Sequence, residues 1–100
     1  MYQKDRSDNM PYRFKRGVRV SADRQMYVYS VSRLYKELPK TDREKIKDLC
    51  DKCGGEHSPA LFEFVTTDTT ATALEMKYYL RKATLYRIVK KYYENFPKKL

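Results

Sequence analysis

Residues 73–93 read ALEMKYYLRKATLYRIVKKYY, and this stretch decides the predicted fold. It predicts a short helix from about Ala71 to Tyr79, a tight turn over Leu80 to Ala83, and a longer helix from Thr84 to about Phe96. Along the longer helix, apolar residues recur with a period of about 3.6 residues, which places them on one face. The residues predicted to face the core are Leu85, Ile88, Val89, Tyr92 and Phe96.

The rest of the longer helix is polar and mostly basic. Arg81, Lys82 and Thr84 stand at its predicted N-terminus. Adjacent helical positions do not share a face, so one tyrosine of each pair, Tyr78–Tyr79 and Tyr92–Tyr93, is expected in the core and the other at the surface. The residues predicted to lie toward solvent are Tyr86, Arg87, Lys90, Lys91 and Glu94.

Three further helices are predicted upstream. The first is capped by Ser21 and stopped by Pro39, the second starts from a capping box with Thr41 as N-cap, and the third has Ser58 as N-cap. The third contains the most apolar stretch of the chain and is expected at the centre of the fold. The apolar stripe predicted for the first helix comprises Tyr27, Val31, Leu34, Tyr35 and Leu38. Five short helices with short connections predict an all-α bundle.

The charge is concentrated at the two ends of the chain. Of 100 residues, 22 are Lys or Arg and 13 are Asp or Glu, so the net charge is +9. It divides into +4 for residues 1–20, −2 for residues 21–76 and +7 for residues 77–100. Residues 1–20 show no periodicity and are predicted to be a flexible basic arm, with one all-α domain over residues 21–100. This distribution favours a surface that binds a polyanion.

Several protein classes are excluded by what the sequence lacks. There is no run of ~18 apolar residues, so no membrane span is predicted, and no apolar stretch follows Met1, so a cytoplasmic protein is expected. There is neither a recognisable catalytic triad nor a glycine-rich phosphate loop. The prediction is therefore a protein without enzymatic activity and without a cofactor.

A Cys-x-x-Cys-Gly sequence at Cys50 and Cys53, followed by His57, leaves three interpretations open. The two thiols lie on the apolar face of a predicted helix and can be core residues. Alternatively, with His57 they give three zinc ligands, one fewer than a closed structural site needs, or they form a redox pair. We assign no metal ligand from the sequence.

Residues 80–87, Leu-Arg-Lys-Ala-Thr-Leu-Tyr-Arg, resemble the turn and the start of the recognition helix in helix-turn-helix regulators, particularly the TetR type. The chain also resembles small bacterial and phage helix-turn-helix proteins, including sigma region 4-like regulators, with the motif at about 71–96. Tyr79 stands where that turn usually has glycine. The resemblance implies Thr84 and Tyr86 on phosphates, Arg87 near base edges and Leu85 in the core.

These observations predict sequence-specific binding of double-stranded DNA by a bacterial or phage transcriptional regulator. RNA polymerase and a second copy of the chain are further partners in this hypothesis. The alternatives are a protein-interaction adaptor on a helix-turn-helix-like scaffold and a binder of single strands or RNA. The predicted DNA-binding residues are Arg81, Lys82, Thr84, Tyr86, Arg87, Lys90 and Lys91 in the C-terminal segment, and Arg13, Lys15, Arg16 and Arg19 in the arm.

Overall fold

The computed structural model describes residues 19–100, and they form an all-α bundle. The predicted contacts at Arg13, Lys15 and Arg16 lie outside the described residues. Short 3-10 turns at Tyr35–Glu37 and Gly55–His57 separate the first three helices. The helices are α1 (Ala22–Arg33), α2 (Lys40–Gly54), α3 (Ser58–Thr66), α4 (Ala71–Tyr78) and α5 (Lys82–Asn95).

Of the three helix caps predicted upstream of residue 70, the one at Ser21 is confirmed and the other two differ from the structure. The Ser21 hydroxyl accepts the Arg24 N–H at 3.1 Å and caps α1, as predicted. The capping box at Thr41 is wrong, because α2 already begins at Lys40: the carbonyl of Pro39 accepts the Arg43 N–H at 3.0 Å. Ser58 is the first residue of α3 and not its cap, since the preceding 3-10 turn runs directly into the helix.

Helix α3 lies at the centre of the bundle, as the sequence predicts. It packs against α1, α2, α4 and α5. Ala60, Leu61 and Val65 are buried at these contacts. The position of every other described helix is therefore set in part by α3.

The inner face of α5 is broader than its predicted stripe. All five residues expected in the core are buried, and Tyr93 is buried as well, so the expected division of the Tyr92–Tyr93 pair is wrong. Helix α5 is covered by α2, α3 and α4, and the Tyr92 and Tyr93 rings contact each other edge to face at 6.1 Å. Leu34 is also misassigned: it follows the end of α1 and is 48% exposed, because the chain turns into a 3-10 conformation there.

Arg24 on α1 holds the segment that follows α5. Its guanidinium donates to the carbonyls of Phe96, Pro97 and Lys98. It also lies over the Tyr27 ring at 4.9 Å. These contacts satisfy carbonyl groups directly after α5 and hold this segment against α1.

None of the helices in residues 19–100 combines the length and apolar character needed to cross a membrane.

The Ser32 and Tyr92 hydroxyls share a buried hydrogen bond of 2.7 Å that joins α1 to α5. Both side chains are nearly inaccessible to solvent, and burial raises the pKa of Tyr92 above its ordinary range. Tyr92→Phe keeps the ring but leaves the Ser32 hydroxyl without this partner. We expect it to lower the free energy of unfolding by about 1 to 2 kcal/mol, measured by urea denaturation.

Ser32→Ala and the double variant complete a thermodynamic cycle. Because Ser32→Ala and Tyr92→Phe remove the same bond, the double variant is expected to lose less than the sum of the single losses. Additive losses would show that the bond does not contribute to stability.

Candidate nucleic-acid interface

Helices α4 and α5 are joined by a three-residue turn, Tyr79 to Arg81. The predicted turn over Leu80 to Ala83 is wrong by two residues, because Lys82 and Ala83 already belong to α5. The carbonyl of Arg81 accepts the Leu85 N–H at 3.0 Å, which starts the helix at Lys82. Thr84 is therefore in the first turn of α5, and it is half-buried.

Tyr79 has the left-handed conformation that favours glycine, with φ 55° and ψ 47°. Helix-turn-helix regulators usually have glycine at the position of the turn that corresponds to Tyr79. The N–H of Tyr79 and that of Leu80 both donate to the Glu75 carbonyl, and the buried Leu80 side chain anchors the turn. The backbone thus makes the sharp reversal that glycine usually provides, although the side chain is large.

Helix α4 is attached to α3 through the carboxylate of Glu63. One oxygen accepts hydrogen bonds from Lys77 Nζ at 2.9 Å and from the Tyr78 hydroxyl at 3.0 Å. The other accepts from the Thr69 hydroxyl at 3.1 Å. The Lys77 hydrogen bond is the main reason that the pKa of Glu63 is lowered. The single carboxylate therefore connects α3, the loop before α4, and α4 itself.

Glu63 and Phe64 are not among the site residues predicted from the sequence. The partners of Glu63 on α4 are 14 and 15 residues away along the chain, so no local spacing identifies them. Phe64 contacts the Tyr86 ring edge to face, with centroids 6.5 Å apart. Tyr86 is 49% exposed, so its ring is held from one side and accessible from the other.

The outward face of α5 carries cations. Ala83, Arg87, Lys90 and Glu94 follow each other at steps of four, three and four, so they lie on one side of the helix. Arg87 is exposed and Lys90 is half-buried. Among residues 19–100 the ion pairs are Lys77–Glu63 and His57–Glu56, and neither includes a cation of α5.

Arg81 and Lys82 are exposed at the N-terminal end of the same helix. Lys91 is also exposed, as predicted, but it lies at the edge of the face, toward α2. Burial raises the pKa of the Cys53 thiol, and the nearby positive charges of Lys91 and Lys52 partly offset that rise. We therefore define the basic face of α5 as Arg81, Lys82, Arg87 and Lys90, with Tyr86 beside it and Lys91 at its margin.

Arg19 is the one predicted arm residue that the structure describes. Its backbone N–H donates a hydrogen bond to the Glu94 carboxylate at 2.9 Å. Arg19 is exposed to solvent. Residue 19, the first that the structure describes, therefore lies beside Glu94 near the C-terminal end of α5. This contact is consistent with a contribution of Arg19 to the same surface.

The cysteines occupy the interface between α2 and its neighbours. Cys50 is buried, which raises the pKa of its thiol to about 12 and makes the reactive thiolate rare at neutral pH. Cys53 is half-buried, and His57 lies 3.6 Å from the exposed Glu56. Within the described part of the chain, no three His, Cys, Asp or Glu residues come together in a group that could hold a metal ion.

A groove of about 430 Å³ lies between α2, α3 and α4. Cys50, Phe62, Glu63 and Tyr78 are among the residues that line it, and none of its lining residues belongs to α5. The groove is therefore separate from the basic face.

Comparisons of the chain with protein-family models, with curated proteins and with solved structures found no match.

The Glu63 contacts make stability depend on pH. Because the folded-state pKa is lowered, the carboxylate stabilises the fold above its ordinary pKa of 4.5, and this contribution is lost as the pH falls through the folded-state value. Glu63→Gln is expected to lower the free energy of unfolding by roughly 1 kcal/mol at neutral pH. The difference between wild type and variant, measured by urea denaturation, should shrink toward zero as the pH falls below 4.5 and through the folded-state pKa.

Glu44→Gln on the exposed side of α2 is the matched control and should change little at neutral or acidic pH. A difference between Glu63→Gln and wild type that stays constant with pH would contradict the proposed role of the ionised carboxylate.

Proposed function

We propose that the protein binds double-stranded DNA by placing the basic face of α5 in the major groove, with α4 as the supporting helix of a helix-turn-helix. The observation that carries this proposal is the asymmetry of α5. Its inner face is fully buried, while Arg87 and Lys90 on the outer face have no acidic partner among the described residues. A single α-helix fits the major groove of duplex DNA.

The two ends of the face suit different contacts. Arg81 and Lys82 stand at the N-terminus of α5, where the helix dipole and free N–H groups favour a phosphate. Thr84 is in the first turn, and Tyr86 has half of its ring accessible, which suits phosphate or sugar contacts. Arg87, one turn further, has the side chain that pairs best with guanine in the groove.

The anchoring of α5 also supports this function. Base readout requires a helix whose position is fixed relative to the parts of the protein that contact the backbone. Three contacts with α1 and α3 fix the positions of α4 and α5. They are the Phe64–Tyr86 ring contact, the Glu63 hydrogen bonds to α4 and the Ser32–Tyr92 hydrogen bond. Within this proposal, the broader role is that of a transcriptional regulator, with RNA polymerase or a second copy of the chain as further partners.

Reversal of charge on the basic face tests the proposal. Arg87→Glu with Lys90→Glu should reduce the affinity for a labelled duplex of about 30 base pairs by at least about 100-fold, measured by fluorescence anisotropy near physiological salt. For the wild type, six or so neutralised phosphates predict an affinity loss of about three decades between 50 and 200 mM salt.

The matched control is Lys36→Glu with Lys45→Glu, which changes the net charge equally at exposed positions outside α4 and α5. Its affinity should stay within about threefold of wild type, because charges beyond roughly 8 Å are screened. A flat salt response, or equal losses in both double variants, would contradict groove binding by α5.

The adaptor hypothesis has one observation in its favour. Met76 and Tyr79, at the C-terminal end of α4, are 73% and 95% exposed, and aromatic residues and methionine are enriched at protein interfaces. Under this alternative, Arg87→Glu with Lys90→Glu leaves partner binding intact. Competition between duplex and single strands of the same sequence distinguishes the third possibility, a single-strand binder.

A further inference from the structure

Tyr79 is the one non-glycine residue with a positive φ in the part of the chain that the structure describes. In this left-handed region the Cβ of an ordinary residue approaches the following carbonyl oxygen, which costs free energy that glycine avoids. Such conformations persist only where the surrounding structure imposes them, and they are concentrated at functional sites.

The surrounding structure does impose the conformation at Tyr79. The Glu75 carbonyl accepts hydrogen bonds from the N–H groups of both Tyr79 and Leu80, and Leu80, the middle residue of the turn, is buried in the core. A backbone at residue 79 with the usual negative φ would break these two hydrogen bonds and move Leu80 out of the core. The turn requires this backbone shape whichever residue occupies the position.

Contacts of the Tyr79 side chain do not offset the free-energy cost of this conformation within the described structure. It is 95% exposed, and the ring contacts and side-chain hydrogen bonds of residues 19–100 do not include it. Burial accounts for the other tyrosine of the pair, since Tyr78 packs against the core and donates to Glu63. Folding therefore explains the backbone of residue 79 but not its side chain.

We propose that Tyr79 is a DNA-backbone contact, with its hydroxyl donating a hydrogen bond to a phosphate oxygen. This inference rests on the proposed function and adds a residue to that site. Tyr79 is two residues before Arg81 and three before Lys82, in a turn that directs the chain into the basic face. Tyrosine hydroxyls are among the groups that contact phosphates, and the neighbouring cations attract the same anion.

The assignment extends the phosphate-binding edge from the N-terminus of α5 back onto the turn. A phosphate contact at the turn and another at the start of α5 would fix the angle at which the helix enters the groove, without reading the sequence. The test can therefore use a duplex of mixed sequence, and it does not require knowledge of a specific site.

Two substitutions separate the side chain from the backbone strain. Tyr79→Phe keeps the ring and the strained conformation but removes the hydroxyl, and Tyr79→Gly removes the side chain and relieves the strain. Both should raise the Kd for a mixed-sequence duplex of about 30 base pairs, by roughly fivefold for Tyr79→Phe and roughly tenfold for Tyr79→Gly. Tyr79→Gly should also melt about 4 °C above wild type.

The salt dependence supplies an independent readout. The hydroxyl is uncharged, so Tyr79→Phe should keep the wild-type slope of log affinity against log salt. The charge-removing control Lys82→Gln should reduce that slope by about one.

The proposal is overturned if Tyr79→Phe binds as tightly as wild type, or if Tyr79→Gly melts below wild type. Its failure is distinguishable from failure of the proposed function, because the wild-type measurement comes first. If wild type shows no salt-dependent binding to the duplex, then groove binding by α5 fails and the Tyr79 contact fails with it. If wild type binds and Tyr79→Phe is unchanged, only the Tyr79 contact is lost.

Discussion

The burial of α3 is the constraint on which the rest of the structure depends. All the other helices of the described chain pack against it, and its apolar side chains fill the centre of the core. In a basic chain in which 35% of the residues are charged, few segments are apolar enough for this position. Once α3 is fixed, two of its half-buried side chains, Glu63 and Phe64, contact α4 and α5 respectively.

This arrangement explains why the outer face of α5 is basic and accessible. The inner face must be apolar because it packs against α2, α3 and α4. Five residues of the helix are buried, as is Phe96 directly after it. The opposite side is less constrained by packing, and its cations have no acidic neighbour on α5 before Glu94. The carboxylate of Glu94 is itself engaged by the Arg19 N–H. Charge repulsion between the cations is tolerated because the helix is held by its inner face.

The sequence predicts those features of the fold that depend on local pattern. The period of the apolar residues gives the inner face of α5, and the apolar composition of residues 60–65 gives the central helix. It does not predict helix starts that depend on backbone bonds, so α2 begins at Lys40 and α5 at Lys82. The sequence also does not predict the burial of Tyr93, because that burial depends on how many other helices pack around α5.

The candidate site is predictable to a similar degree. Arg87 is exposed as predicted, since its placement follows from helical spacing. Arg81 and Lys82 stand at the N-terminus of α5, as predicted, and are exposed there. The lateral position of Lys91 depends on where α2 packs. Glu63 connects residues that are distant along the chain, and no spacing rule could identify it. The DNA-binding role itself stays a prediction, because it depends on a partner and not on the fold.

The most direct test of the central claim is a residue-resolved map of the surface that meets DNA. A mixed-sequence duplex of about 30 base pairs would be titrated into isotope-labelled protein while the backbone amide resonances are followed by NMR. Groove binding by α5 predicts that the largest shifts fall between residues 79 and 91, with α2 nearly unchanged on its exposed side. Shifts centred on the groove between α2, α3 and α4, or no shifts at all, would contradict it.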